Sequence, residues 1–136
     1  MKQNKIEIID KVKQWIKLAK DDINLAEFGL TMKSSCPYKL LAFHAQQCIE
    51  KYLKAYLVYN EIDFPFTHNL GVLIDLYINI DKKFLNLKEA ETLTRYGIIT
   101  RYPSFDREIN KEEAIKCVNI AKDIQNFILK LFNELI

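Results

Sequence analysis

A chain of 136 residues that is 49% apolar and 28% charged fits one globular, soluble domain and excludes a disordered or fibrous class. At this length a fold buries about two-thirds of its unfolded surface, so neither a disulfide nor a metal staple is needed. The net charge of +2 excludes the strong basic excess of proteins that coat DNA without specificity, and leaves room for a local basic patch.

With only three Gly and three Pro, the composition favours long helices over a turn-rich β fold. Cys36, Cys48 and Cys117 are odd in number and lack CxxC or Cys/His zinc spacing. They read as small buried hydrophobes in a reducing cytosol. Met1–Asp10 carries charges among its apolar residues and is no signal peptide. No run of about 18 apolar residues exists, so the expectation is a cytoplasmic chain that spans no membrane.

The first predicted helix covers Lys5–Leu30. Val12, Trp15, Ile16, Ala19, Ile23, Ala26 and Leu30 recur every three or four residues, the period of a core-facing stripe. Gly29, Ser34, Ser35 and Pro37 mark its end. Trp15 reads as core, with a stacking platform as the alternative.

The second helix, Tyr38–Tyr59, holds no Gly or Pro and is rich in helix formers. Leu41, Ala45, Cys48, Ile49, Tyr52, Ala55 and Tyr56 fall on one broad arc, the face turned to the core. Beside it runs a polar stripe of His44, Gln47, Lys51 and Lys54. Asn60–Phe66 follows as a loop pinned by Phe64 and Phe66. Thr67 or Asn69 then caps a short third helix over 69–79, and Asp81-Lys82-Lys83 makes a turn.

The fourth predicted helix is Leu87–Ile99, with Ala90, Leu93 and either Tyr96 or Gly97 inward. Pro103 biases Tyr102 away from helical geometry, so the chain leaves the helix near Arg101-Tyr102. After a polar loop at 104–109, Asn110 and Glu113 form an approximate capping box. The fifth helix is Lys111–Leu135, with Ala114, Cys117, Ala121, Ile124, Ile128, Leu131 and Leu135 on its stripe. Three long helices and two short ones predict a single all-α domain over residues 1–136, an up-and-down antiparallel bundle of four to five helices.

Three places carry candidate chemistry. On the second helix, Lys51 and Lys54 suit phosphate as point charges. Gln47 suits a base or ribose, and His44 suits proton exchange. The bland alternative is a solvated helix edge with an i,i+4 pair between Glu50 and Lys54. In Arg95–Pro103, Arg95, Arg101, Tyr96 and Tyr102 converge on a helix end. Arginine grips phosphate in a bidentate fork, and Tyr stacks on bases. Alternatively, Arg101 pairs with Asp106 or caps helix carbonyls. The third place is Thr67-His68, a cap or an interface as readily as a catalyst. His44 and His68 are the only histidines in the chain. Asp21-Asp22 diverge by about 100° on a helix and read as a solvent-facing turn. No metal-site or nucleotide-loop motif is present.

Several of these strings, taken in order, resemble the HEPN domains, helical domains often encoded beside minimal nucleotidyltransferases. W-x-x-L-A-x-x-D (Trp15–Asp22), with Ala26, is similar to the family's first helix, and F-H-A-Q-Q-C-I-E-K-Y-L-K-A-Y-L (Phe43–Leu57) to its second. T-H-N-L (Thr67–Leu70), R-Y-P (Arg101–Pro103), Ala114 and Ala121 follow in the expected order. The resemblance implies an antiparallel helical bundle, usually a homodimer. It also implies nucleotide or RNA binding, no metal and no cofactor. Many members are RNA-cleaving toxins neutralised by a nucleotidyltransferase antitoxin. Their ribonuclease motif places Arg, then four to six residues, then His, often with Tyr two residues later. Arg95 fits the Arg slot and Tyr102 the Tyr slot, but the His slot falls on Thr100. Threonine is a poor general base, so the ribonuclease reading weakens while phosphate binding survives.

The expectation is therefore a HEPN-type protein acting with a minimal nucleotidyltransferase, in a toxin–antitoxin-like module. Arg95, Arg101, Tyr102 and Lys51 lead its phosphate site, with His44, Gln47 and His68 as auxiliaries. The alternatives are a metal-independent ribonuclease toxin using Arg95 and Tyr102, and a non-catalytic helical adapter.

Overall fold

Asn4 starts the first helix, α1 (Lys5–Gly29), by accepting a hydrogen bond from the Ile6 N–H at 2.9 Å. The computed structural model describes residues 4–79, 88–99 and 108–135. On α1, Val12, Ala19, Ile23 and Ala26 are buried, and Trp15, Ile16 and Leu30 pack against the core at its edge. The chain turns through 30–37 into α2 (Tyr38–Tyr59). A Cβ at Gly29 would run into the Leu41 side chain, so glycine there permits the close approach of the two helices. Farther along, Asp22 meets His44 and Lys51, and Lys54 lies over Trp15, so α1 and α2 run antiparallel.

All seven predicted core positions of α2 are buried, from Leu41 to Tyr56. Leu53 and Leu57 are also fully buried, each stabilising the fold by roughly 1.5–3 kcal/mol. The polar residues depart from expectation. Gln46, Gln47, Glu50 and Lys54 are buried too, Lys54 to 5% exposure, so this flank is no solvated edge. Helices and loops cover α2 on nearly every side.

A Schellman motif ends α2. The Ile62 N–H donates to the Leu57 carbonyl at 2.9 Å and the Glu61 N–H to that of Val58 at 3.0 Å. This places Glu61 at φ 55°, the left-handed position where glycine is preferred. The next loop is pinned by one Phe, not two. Phe64 packs at the core edge beside Lys54, whereas Phe66 is 95% exposed. Asn69 caps α3 (Leu70–Ile78) by accepting from the Gly71 N–H, and the Thr67 hydroxyl accepts from the Asn69 N–H.

The segment predicted as one helix is two: α4 (Lys88–Glu91) and α5 (Thr94–Ile99). Between them Thr92 and Leu93 bond back three residues, not four, and the Thr92 hydroxyl donates to the Glu89 carbonyl at 2.7 Å. A β-branched hydroxyl residue bonding its own backbone breaks the helix here. The inward positions are as expected: Ala90, Leu93, Tyr96 and Gly97 are buried. The predicted turn at Asp81–Lys83 lies outside the described residues.

Asn110 accepts from the Glu113 N–H at 2.8 Å and opens α6 (Lys111–Leu135). The capping box is half made, because the Glu113 carboxylate turns to Arg95 and Tyr96. Ala114, Cys117, Ala121, Ile124 and Ile128 are buried as predicted, and Val118, Ile120 and Phe132 join them. Gln125 donates to the Tyr52 hydroxyl, and Phe132 packs on Tyr56 and Tyr59, so α6 runs in the same direction as α2. The long helices thus keep up-and-down order, and the short segments between α2 and α6 bring the chain back. The fold is all-α, with six helices among the described residues. None of these helices is long and apolar enough to cross a membrane. The three cysteines are free, and burial pushes the Cys48 and Cys117 thiols up, away from reactivity.

A non-glycine residue in the left-handed region costs about 1–2 kcal/mol, partly offset by glycine's freer unfolded chain. Glu61→Gly is therefore expected to raise the urea unfolding free energy by about 0.5–1 kcal/mol. A lowered midpoint would show that the Glu61 side chain makes a contribution larger than this strain.

Candidate functional site

The polar groups on α2 divide by direction. His44 and Lys51 turn toward α1. His44 Nδ1 lies 2.9 Å from Asp22 Oδ1, and Lys51 Nζ donates to Asp22 Oδ2 at 2.5 Å. Residues 44 and 51 are seven apart, nearly two helical turns, so one carboxylate from α1 reaches both. Asp22 is buried to 8% exposure, which corrects its expected place on a solvent-facing turn. Its neighbour Asp21 is the exposed one and pairs with Lys17.

Glu50 organises a second cluster. Its Oε1 is 2.8 Å from His68 Nδ1, and its Oε2 accepts from Lys54 Nζ at 3.3 Å. Gln46 donates to Glu50 and to the His68 carbonyl, and Gln47 donates to Gln46. Lys54 is further enclosed by Trp15 and Phe64, whose ring centroids lie 5.5 and 5.8 Å from Nζ. A carboxylate at 2% exposure needs such partners, because an unpaired buried charge is costly. The i,i+4 pair of Glu50 and Lys54 exists, but inside the protein.

The third cluster joins α5 to α6. Arg95 Nη2 donates to Glu113 Oε1 at 2.8 Å and to the Tyr96 hydroxyl at 3.1 Å. The Tyr96 hydroxyl in turn donates to Glu113 Oε1 at 2.6 Å, closing a triangle. The guanidinium also lies over the Tyr96 ring, 5.0 Å from its centroid. Burial, and then the bond to Glu113, pushes the Tyr96 phenol up to about 12. The Tyr96 hydroxyl first, and Glu113 with it, hold the Arg95 guanidinium above its ordinary value. The Arg95 side chain is nevertheless 51% exposed. It stands at a pocket of about 240 Å³ whose other lining includes Tyr96, Glu113, Lys116 and Cys117.

The structure therefore separates residues that the sequence suggested as one site. His44 and Lys51 face α1. Gln46, on the other side of α2, meets Gly97 of α5, where a Cβ would stand 3.1 Å from its Oε1. His68 is tied to α5 through its neighbour, since the Leu70 N–H donates to the Thr94 hydroxyl at 3.0 Å. Arg95 points to α6. Arg101, Tyr102 and Thr100 lie outside the described residues, as do Pro103 and Asp106. Sequence reasoning missed Asp22, Gln46 and Glu113 as partners. Their signal was the buried register of Asp22 and Gln46, and the three-residue spacing of Glu113 from a cap. Among the described residues no cluster of His, Cys, Asp and Glu could hold a metal ion.

This helical frame agrees with known proteins. The HEPN domain family matches residues 12–131, and the chain belongs to it. It is 29% identical, over an alignment of 137 residues, to the Methanocaldococcus jannaschii protein named "Putative toxin MJ1304", covering 90% of this chain and 88% of that one. It also superposes on the crystal structure of ST0689, an archaeal HEPN homologue, with a TM-score of 0.65 and 27% identity. That match covers 88% of this chain and 96% of the other.

Glu50→Leu is expected to cost about 3–5 kcal/mol in urea unfolding, because it strands Lys54 inside the protein. Glu50→Leu combined with Lys54→Met should recover most of that loss. Equal losses in the single and double variants would assign the stability to His68 and Gln46 instead. Tyr96 gives a pH-dependent signature. Folding favours its neutral phenol, so its contribution is complete below the ordinary value of 10.0 and is lost as pH rises through about 12. Phenolate absorbance of the folded protein should lose a component titrating near pH 12 in Tyr96→Phe. An unchanged alkaline limb would contradict the assignment.

Proposed function

We propose that this protein is the HEPN component of a toxin–antitoxin-like module. It binds nucleotide or RNA phosphate at the Arg95 end of α5 and acts with a minimal nucleotidyltransferase. The observation that carries this reading is the half-exposed Arg95 at the mouth of a pocket shared with Lys116. A phosphate reaching it would meet two cations and the Tyr96 ring. The likeness to the Methanocaldococcus protein, whose name calls it a toxin, supports the toxin side of the module. Arg101 and Tyr102 would extend the same site. His44 and Lys51 are drawn off by Asp22, so they contribute to packing in this reading. His68 and Gln47 stand behind α5 as supports.

A partner also needs a surface. Leu18, Leu25 and Phe28 are exposed along α1, Phe28 to 74%, which supports protein association there in the cytoplasm, as a homodimer or with the nucleotidyltransferase. The adapter reading draws on one specific observation, the closure of Arg95 onto Glu113. In the ribonuclease reading, which uses Arg95 and Tyr102, His68 and His44 are the chain's own histidines for moving a proton. Each is held through Nδ1, which leaves Nε2 for exchange.

Fluorescence anisotropy with a labelled single-stranded RNA that carries a 5′-terminal phosphate separates these readings. Arg95→Ala should bind about tenfold more weakly than wild type. Equal binding by the two proteins would remove Arg95 from the site and favour the adapter. Loss of cellular RNA on overexpression, abolished by Arg95→Ala, would favour the ribonuclease; intact RNA would count against it.

A further inference from the structure

We propose that Glu113 is a built-in competitor for the phosphate seat, and that it decides which anions Arg95 accepts. This rests on the phosphate-binding reading given above and adds a residue to it. A guanidinium offers two parallel N–H pairs, one from Nε and Nη2 and one from Nη1 and Nη2. Nη2 belongs to both. Both hydrogen bonds that Arg95 makes among the described residues leave from Nη2, to Glu113 Oε1 and to the Tyr96 hydroxyl. Glu113 Oε1 and the Tyr96 hydroxyl therefore crowd the nitrogen that both forks need while the triangle is closed, even though half of the side chain is exposed.

The carboxylate is well held. The Glu113 side chain is 17% exposed and also receives the Tyr96 hydroxyl at 2.6 Å. Its backbone N–H is fixed by Asn110 at the start of α6, so the competing charge is anchored on a long helix. Asn110 and Glu113 hold the spacing of a capping box, yet the carboxylate forgoes the cap and goes to Arg95. A phosphate that comes to Arg95 competes with Glu113 at Nη2. Lys116, three residues on and lining the same pocket, is the cation to which the released carboxylate can turn. Glu113 thus sets a threshold. A singly charged anion meets a carboxylate of equal charge already in place, while a terminal phosphate brings more charge and more acceptors to the exchange.

Calorimetric titration with adenosine 5′-monophosphate tests this in wild type, Glu113→Gln, Arg95→Ala and Glu113→Gln/Arg95→Ala. Glu113→Gln should tighten binding by about tenfold, the scale of one charge-assisted hydrogen bond released from competition. The gain should vanish in the double variant. Tyr96→Phe, which removes one occupant of Nη2 and one anchor of Glu113, should show a smaller gain in the same direction. It carries the test if Glu113→Gln fails to fold by circular dichroism. Unchanged or weaker binding in Glu113→Gln, with Arg95→Ala still weakening wild type, would overturn the competitor and leave the phosphate site standing. Binding that survives Arg95→Ala in both backgrounds, or no binding by any of the proteins, would overturn both.

Discussion

Burial of charge on α2 is the constraint on which the other contacts depend. A helix covered on nearly every side carries Gln46, Gln47, Glu50 and Lys54 inward. Each must find a partner inside the protein, because an unmet buried amide costs about 1–3 kcal/mol and an unmet buried charge several. Asp22 on α1 takes His44 and Lys51 from the adjoining flank. The loop before α3 delivers His68 to Glu50, and Trp15 and Phe64 enclose Lys54. These pairings give little net stability over an apolar core. What they supply is register. A shift of α1 along α2 would separate Asp22 from both of its cations, and a displaced loop would strand Glu50.

This constraint also orders the cationic side chains. Charges that look available on a helical wheel are paired inside the protein, Lys51 and His44 with Asp22 and Lys54 with Glu50. Arg95 differs because it leaves a short helix at the periphery and faces α6 rather than α2. The short α5 exists because Thr92 interrupts what periodicity alone would continue. A straight helix through that point would carry Arg95 on a different bearing. A local backbone choice therefore governs the orientation of the one arginine in the described residues. That arginine then meets a carboxylate, so its exposure and its availability are separate properties.

Membership of the HEPN family joins this chain to an archaeal homologue whose frame is preserved at 27% identity. The shared frame is understandable from the same physics. The strings that identify the family, on α1, on α2 and at the start of α3, include Trp15, Asp22, His44, Gln46, Glu50, Lys51, Lys54 and His68. Here these residues form the buried polar clusters and their covers. Much of the motif that reads as functional in the sequence is thus engaged in holding the helices together.

The sequence by itself determined the helices and their inward faces, because a 3.6-residue period is a local property that each segment displays alone. The ends of α1, α2 and α6 were legible for the same reason, in Gly29, Pro37 and Asn110. It also determined the family, because ordered strings survive in a chain whatever they contact. Tertiary structure alone decided the partners. Asp22 and His44 are 22 residues apart, Glu50 and His68 18, Arg95 and Glu113 18. No local period reports such pairings. Whether a lysine on a polar stripe is solvated or buried depends on what packs over it, and Lys54 was covered by Trp15 and Phe64 from two distant segments. Thr92 and Glu113 were decided at the same level, since a break in a helix and the direction of a capping side chain follow from the neighbours each one meets.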